Sequence, residues 1–286
     1  KECGVDAGKL QKRNNRLLFT EVFYNTPYNS ENAYGATYGL HREALEFGKK
    51  EYSELKLHSD KLGLIFFATA FDSDSADFLY KLNMPCFKMA SGDITNTPLL
   101  KYVAKKGKPM IISTGAATME DVKRAHEAVY PINKKIALLQ CTATYPTELG
   151  LMNLNVVSVY RKQFPDTVIG LSDHYNGIAL PVVAYTLGAR IFEKHFTLSR
   201  ALRGTDHAFS LEPVGMKKLV RDLQRSHLAM GDGIKRIYPE ELPAKTKMAK
   251  KIVVAKDLPA GHKIKLADLA FKSPGDGLPP YLVEKI

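Results

Sequence analysis

Seven short apolar runs, separated by amphipathic helical stretches, constrain this chain more than any other feature. The runs fall at 8–11, 64–69, 86–89, 109–113, 136–140, 168–171 and 191–195. They are largely apolar rather than alternating, as strands buried on both faces of a parallel sheet must be. Between them, Leu45, Tyr52, Leu55 and Leu62 fall on one helical face, and so do Met119, Val122, Ala125 and Val129. Thr118 followed by Asp121 predicts an N-cap for the second of these helices. Asp72 and Asp74 read as helix-entry residues, and Glu120 and Asp121 as first-turn residues, not as chemistry.

This alternation predicts an α/β fold, a (β/α)8 TIM barrel, with seven of its eight strand–helix units in the chain. The opening Glu2-Cys3-Gly4 reads as the end of a helix, so the first strand is expected to be missing. An open doubly wound sheet is the rival, but no glycine-rich dinucleotide loop follows any strand. The barrel is expected to occupy 1–230. A basic, turn-prone linker with Pro239 and Pro243 spans 231–250, and 251–286 reads as the start of a small β-rich domain.

Lysine and arginine outnumber aspartate and glutamate by 41 − 30 = 11, a balance that favours anionic ligands. Nucleic acid is not expected, since the basic residues are scattered and no recognition motif accompanies them. No apolar run is long enough to span a membrane, and the opening Lys1-Glu-Cys-Gly4 shows no signal-peptide pattern. Cys3, Cys86 and Cys141, odd in number and irregular in spacing, read as reduced thiols of a cytoplasmic protein.

In a barrel, function gathers where strands end, and here those ends are polar. Lys9, Gln11, Lys12 and Arg13 end the first run, and Thr69 ends the second. Lys88, Ser91, Gly92 and Asp93 end the third, Ser113-Thr-Gly115 the fourth, and Cys141, Thr142 and Tyr145 the fifth. Ser172-Asp-His174 and Glu193-Lys-His195 end the last two. Two lysines with small hydroxyl residues and a glycine suit a phosphate or carboxylate. Two histidines at neighbouring strand ends, near Glu193 and Asp206, suit a divalent metal. Each of these residues also has a plainer use: a strand-end lysine is commonly solvated, and a lone histidine is commonly structural. Lys88 departs from that rule because its neighbours are apolar, and an unpaired buried ammonium is costly.

Seven runs carry a resemblance: Phe87-Lys-Met-Ala-Ser-Gly-Asp93, Ile112-Ser-Thr-Gly115, Leu139-Gln-Cys-Thr142 with Tyr145-Pro146, Ile169-Gly-Leu-Ser-Asp-His174, Glu193-Lys-His-Phe196, Gly204-Thr-Asp-His207 and Ser210-Leu-Glu-Pro213. In this order the chain resembles the sialic acid synthase family, which condenses phosphoenolpyruvate with N-acetylmannosamine or related N-acyl hexosamines. The tail from Ile252 resembles that family's antifreeze-like (SAF) C-terminal domain.

The resemblance implies that Lys9, Thr69, Lys88, Ser91 and Ser172 bind phosphoenolpyruvate, and that His174 and His195 hold Mn2+, Mg2+ or Co2+. It places Asp93, Tyr145 and Asp206 at the sugar, and makes Asp93, Lys88 and His195 the catalytic set. It also implies a homodimer in which one chain's C-terminal domain is swapped onto the partner's barrel mouth. Two positions depart from the family pattern: Ala143 stands where some members have an asparagine, and Ser273, beside Lys272, where some have an arginine. Two other classes of function compete. One is a barrel aldolase with Lys88 or Lys194 as a Schiff-base nucleophile; the other is a carbohydrate- or ice-binding protein without catalysis.

Overall fold

The computed structural model describes residues 1–274 and 277–286. The chain divides into two compact units, Lys1–Ala229 and Met230–Ile286.

The first unit is built on a parallel sheet of seven strands: β1 (Ala7–Lys12), β2 (Ile65–Ala70), β3 (Phe87–Met89), β4 (Met110–Ser113), β5 (Ile136–Cys141), β6 (Val168–Asp173) and β7 (Ile191–Lys194), hydrogen-bonded in chain order. Each apolar run of the sequence is one of these strands, displaced by at most two residues at an end. A helix covers every crossover, as parallel neighbours require: Lys49–Lys61, Ser73–Lys81, Thr97–Ala104, Met119–Val129, Asn155–Gln163 and Ala179–Leu187.

Local signals explain where these helices start. Asp72 accepts from Ser75 N at 2.7 Å, and Thr118 and Asp121 form the expected capping box. Val122, Ala125 and Val129 are fully buried against the sheet, so the periodicity of that segment located its inner face. The other predicted face holds only in part. Tyr52 is buried and Leu55 packs on the core, but Leu45 and Leu62 lie outside Lys49–Lys61 and are exposed. The helix simply begins later and ends earlier than the apolar spacing suggested.

The sheet curls until its edge strands face a common interior, where Lys9 of β1 meets Glu193 of β7 at 3.3 Å. Outside, helix Pro213–Met230 lies beside the start of β1: Leu211, Met216 and Leu219 cluster with Cys3, Val5, Ile178 and Leu223. Curling brings the strands into close quarters. A Cβ at Gly170, in the middle of β6, would lie 2.4 Å from the carbonyl oxygen of Ile191, so only glycine fits.

The second unit holds an antiparallel pair, β8 (Lys251–Val254) and β9 (Leu269–Lys272), preceded by a short helix at Leu242–Met248. Asp268 anchors it, accepting from Lys265 N at 3.0 Å and pairing with His262 at 2.8 Å and Lys256 at 3.3 Å.

Candidate active site

Every polar strand end of the first unit opens on the same side of the sheet, because all seven strands run parallel. Three of them supply a charge cluster. Lys88 of β3 is buried and donates from Nζ to Ser113 Oγ at 2.6 Å and Met89 O at 2.9 Å. Lys9 of β1 donates to Thr69 Oγ1 at 3.4 Å. Glu193 of β7 lies between the two ammonium groups, 3.3 Å from Lys9 and 3.5 Å from Lys88. Burial pushes Lys88 towards its neutral form, and Glu193 opposes that push. Burial alone would raise Glu193, but Lys88 and then Lys9 hold its carboxyl down at about 2. Two cations share one carboxylate, so the cluster carries unneutralised positive charge in a place poor in water. An anion is the group that completes it.

A shell of small groups surrounds this cluster. Ser91 Oγ accepts from Gly115 N at 2.9 Å and donates to Cys141 Sγ at 3.6 Å. A Cβ on Gly115 would come within 2.9 Å of Ser91 Oγ and 3.0 Å of Ala143 Cβ and Cys141 Sγ, so glycine keeps this wall open. Ser172 stands in register between Cys141 and Glu193, which carries its hydroxyl to the same layer. Ala143, whose side chain offers no polar atom, forms part of the wall.

The histidines lie at the ends of β6 and β7, ring centroids 5.3 Å apart. His174 Nδ1 is 2.9 Å from the Thr142 carbonyl oxygen, which can only accept, so Nδ1 carries the proton and Nε2 keeps its lone pair. His195 Nδ1 faces Asp206 Oδ2 at 3.5 Å. Burial lowers both imidazoles, His195 to about 4, so each is neutral near pH 7, the ligating form. A carbonyl and a carboxylate behind two neutral histidines are what a divalent cation uses to orient its ligands. No group of three or more His, Cys, Asp or Glu side chains is spaced to enclose an ion among the described residues. A metal on these imidazoles would therefore keep positions for non-protein ligands. Tyr145 packs its ring 4.2 Å from His174 and 6.2 Å from His195.

Strand alternation separates Lys194 from its neighbours. Glu193 reaches the interior, whereas Lys194 pairs with Asp173 at 2.7 Å in a bridge sealed from solvent, its side chain 3% exposed. An amine held there cannot meet a substrate carbonyl at the strand ends, which removes Lys194 as a Schiff-base nucleophile. Asp93 is buried in the turn Ser91–Asp93, and its carboxylate accepts from Asn96 Nδ2 at 3.2 Å. Burial raises its pKa. It does not join the lysine cluster among the described residues. Glu193 is the residue whose part the sequence left open. Its spacing of two from His195 placed it near the histidines, but nothing local showed that it pairs with lysines of β1 and β3.

Comparison with known proteins bears on what this arrangement serves. The NeuB family profile matches residues 1–235. N-acetylneuraminate-9-phosphate synthase of Mus musculus is 40% identical over 98% of this chain and 78% of its own. N,N'-diacetyllegionaminic acid synthase of Campylobacter jejuni is 37% identical over 97% of this chain and 84% of its own. Among solved structures, the N-acetylneuraminic acid (sialic acid) synthetase of Leptospira borgpetersenii serovar Hardjo-bovis, in complex with citrate, superposes with a TM-score of 0.74. It is 31% identical over 85% of this chain and 80% of that one.

Proposed function

The chain belongs to the NeuB family, and from that premise we propose that it is a C–C bond-forming transferase, condensing phosphoenolpyruvate with an N-acyl hexosamine, free or 6-phosphorylated. The products are a nonulosonic acid and inorganic phosphate. The observation that carries this reading is the convergence of Lys9 and Lys88 around one carboxylate, beside two neutral histidines, at one end of the sheet. An anion and a metal-polarised carbonyl each find their groups within one site.

In our reading Lys9, Thr69, Lys88, Ser91 and Ser172 hold the phosphate and carboxylate of phosphoenolpyruvate. Arginine at position 88 would not substitute, because a planar fork does not fit where Ser113 Oγ and Met89 O already close on the amine. His174 and His195 would hold a divalent cation, Mn2+, Mg2+ or Co2+, which would supply Lewis acidity towards the sugar's carbonyl group. Tyr145 and Asp206 line the sugar, Asp206 also orienting His195.

Carbon 3 of phosphoenolpyruvate bonds to the aldehyde carbon. Water adds to carbon 2, and phosphate then departs with cleavage of its bond to that carbon. Asp93, raised by burial, is suited to moving a proton during these steps. Lys9 and Lys88 stabilise the phosphate as its charge grows on leaving.

The finer reading of the whole protein is a cytoplasmic homodimer. The second unit is an antifreeze-like domain that covers the barrel mouth of the partner, with Lys272 in place of the arginine that Ser273 replaces. No helix among the described residues is long and apolar enough to cross a membrane.

The decisive experiment is mass spectrometry of the products formed from phosphoenolpyruvate with N-acetylmannosamine, its 6-phosphate and 2,4-diamino sugars. A product equal to the two substrates plus water minus phosphate is expected for at least one sugar. No such product from any sugar refutes the reading. Borohydride trapping with substrate separates the remaining aldolase alternative on Lys88, since the proposed chemistry leaves no adduct. Sedimentation tests the homodimer.

A further inference from the structure

The connection from β5 to the helix Asn155–Gln163 is exposed throughout 144–151 with one exception, Thr147, which is buried. A hydroxyl taken out of water needs a partner, and this one has two. Thr147 Oγ1 shares its hydrogen between Thr144 O at 2.9 Å and Thr142 O at 3.2 Å. Its backbone N–H donates to His174 O at 3.1 Å.

These bonds close the segment 142–147 around His174. Thr142 O receives the proton of His174 Nδ1 at 2.9 Å, and Thr147 N returns to the carbonyl of the same residue, so both ends of the segment rest on it. Between them the Tyr145 ring lies 4.2 Å from the imidazole. Strand register accounts for the meeting. Cys141 of β5 pairs with Ser172 of β6, so Thr142 and His174 leave the sheet as neighbours. The far part of the connection has anchors of its own: Thr142 Oγ1 donates to Leu151 O at 2.8 Å, and the buried Gln140 donates from Nε2 to Met152 O at 3.2 Å.

A carbonyl oxygen has two lone pairs. On Thr142 one takes the His174 proton and the other the Thr147 hydroxyl, which fixes the peptide plane from two sides. Valine at 147 would keep the shape of threonine but set a methyl group against the Thr142 and Thr144 carbonyl oxygens. Each then lacks a donor, and turning towards water restores one. That turn takes Thr142 O off the imidazole, which loses the contact setting its tautomer and its direction.

Resting on the two-histidine metal site proposed above, we infer that Thr147 is a positioning residue. Its hydroxyl holds the Thr142 carbonyl on His174 and the Tyr145 ring over it, so one side chain sets the affinity for the cation and for the sugar together. Phosphoenolpyruvate binding is independent of it. Lys9, Thr69 and Lys88 lie in β1, β2 and β3, Ser91 follows β3, and Ser172 lies within β6, all outside this connection. The plainer role is general support of the chain, under which every ligand would suffer alike.

The test compares Thr147→Val with Thr147→Ser in the full chain. Mn2+ alone is titrated by electron paramagnetic resonance and phosphoenolpyruvate alone by calorimetry, and KM is measured for the N-acyl sugar with both at saturation. Losing a direct partner of a metal-bound histidine weakens metal binding about 10–100-fold. Thr147 acts one hydrogen bond further out, so the valine chain is expected to bind Mn2+ about fivefold or more weakly. Its sugar KM should rise by a similar factor, while Kd for phosphoenolpyruvate stays within about twofold. Serine keeps the hydroxyl and should restore Mn2+ and sugar binding to within about twofold of the unmodified chain. Should the valine chain not fold, Thr147→Cys, whose thiol is a weak donor, is expected to show the same losses in its place. Smaller losses of Mn2+ or sugar binding, no rescue by serine, or a parallel loss of phosphoenolpyruvate affinity overturns the positioning role and leaves the metal site standing. An unmodified chain that binds no Mn2+ overturns the metal site, and this inference with it.

Discussion

Replacing Lys88 by methionine keeps most of the side chain's volume while removing its charge, and the surroundings set the consequence. Lys88 Nζ is 3.5 Å from Glu193, an attraction of roughly 5 kcal/mol at an effective dielectric constant of about 20. Desolvation of the buried ammonium works against that gain. Removing one partner of an isolated buried pair costs about 3–5 kcal/mol. Here Lys9 stays 3.3 Å from Glu193, so the carboxylate is not orphaned. The variant should therefore fold, with a loss of stability of about 2 kcal/mol or less, below the isolated-pair cost.

Binding should suffer far more. One charge-assisted contact to phosphoenolpyruvate, about 1.5–3 kcal/mol, disappears. Glu193, now matched by one lysine instead of two, adds repulsion. Together these raise Kd about a hundredfold or more. In the double variant Lys88→Met/Glu193→Gln the repulsion is gone, so affinity should recover part of the loss but not reach the original value. Calorimetric titration with phosphoenolpyruvate alone, alongside thermal melts, measures both quantities. A Kd within threefold of the unmodified chain in Lys88→Met would refute this assignment of the lysine. Equal affinities in the single and double variants would refute the part given to Glu193.

Lys194→Met leaves Asp173 buried without its partner and should cost about 3–5 kcal/mol in a chemical melt; a loss under 1 kcal/mol would contradict the sealed bridge. Chelation with EDTA should abolish condensation and Mn2+ should restore it, while His174→Ala and His195→Ala each weaken Mn2+ binding at least tenfold by electron paramagnetic resonance. Full activity after rigorous chelation would dismiss the two-histidine site. Asp268 is held at about 2, chiefly by its hydrogen bond with His262, against an ordinary value of about 3.9. A depressed carboxylate contributes stability that is complete above its unfolded pKa and lost as pH falls through the folded one. The second unit should thus loosen between about pH 4 and pH 2, and Asp268→Asn should remove that dependence in an acid titration followed by NMR. An identical profile in the variant would assign the transition to other groups.

What the sequence determined by itself is what local physics controls. An apolar run between helical periods can only be a strand of a covered parallel sheet, so the order of elements and the polar strand ends were legible. Short-range hydrogen bonds made the Asp72 and Thr118 caps legible too. His174 and His195 were visible as a pair because they end successive strands, which in this topology are neighbours. Lys88 stood out because a charge among apolar neighbours demands a partner.

The partner's identity was not local. Glu193 is more than a hundred residues from Lys88 and lies on the opposite edge strand from Lys9, and only curvature of the sheet brings the three together. The same curvature, with strand alternation, turned Lys194 away from the site into a bridge with Asp173. The contacts of Tyr34 and Asn32 with Arg203 and Gly204 likewise join two segments well over a hundred residues apart in the chain. Sequence spacing sets which face a side chain takes, but the charges it meets across the sheet's interior are decided by the sheet's curvature. Electrostatic energy depends on those distances through space, not along the chain.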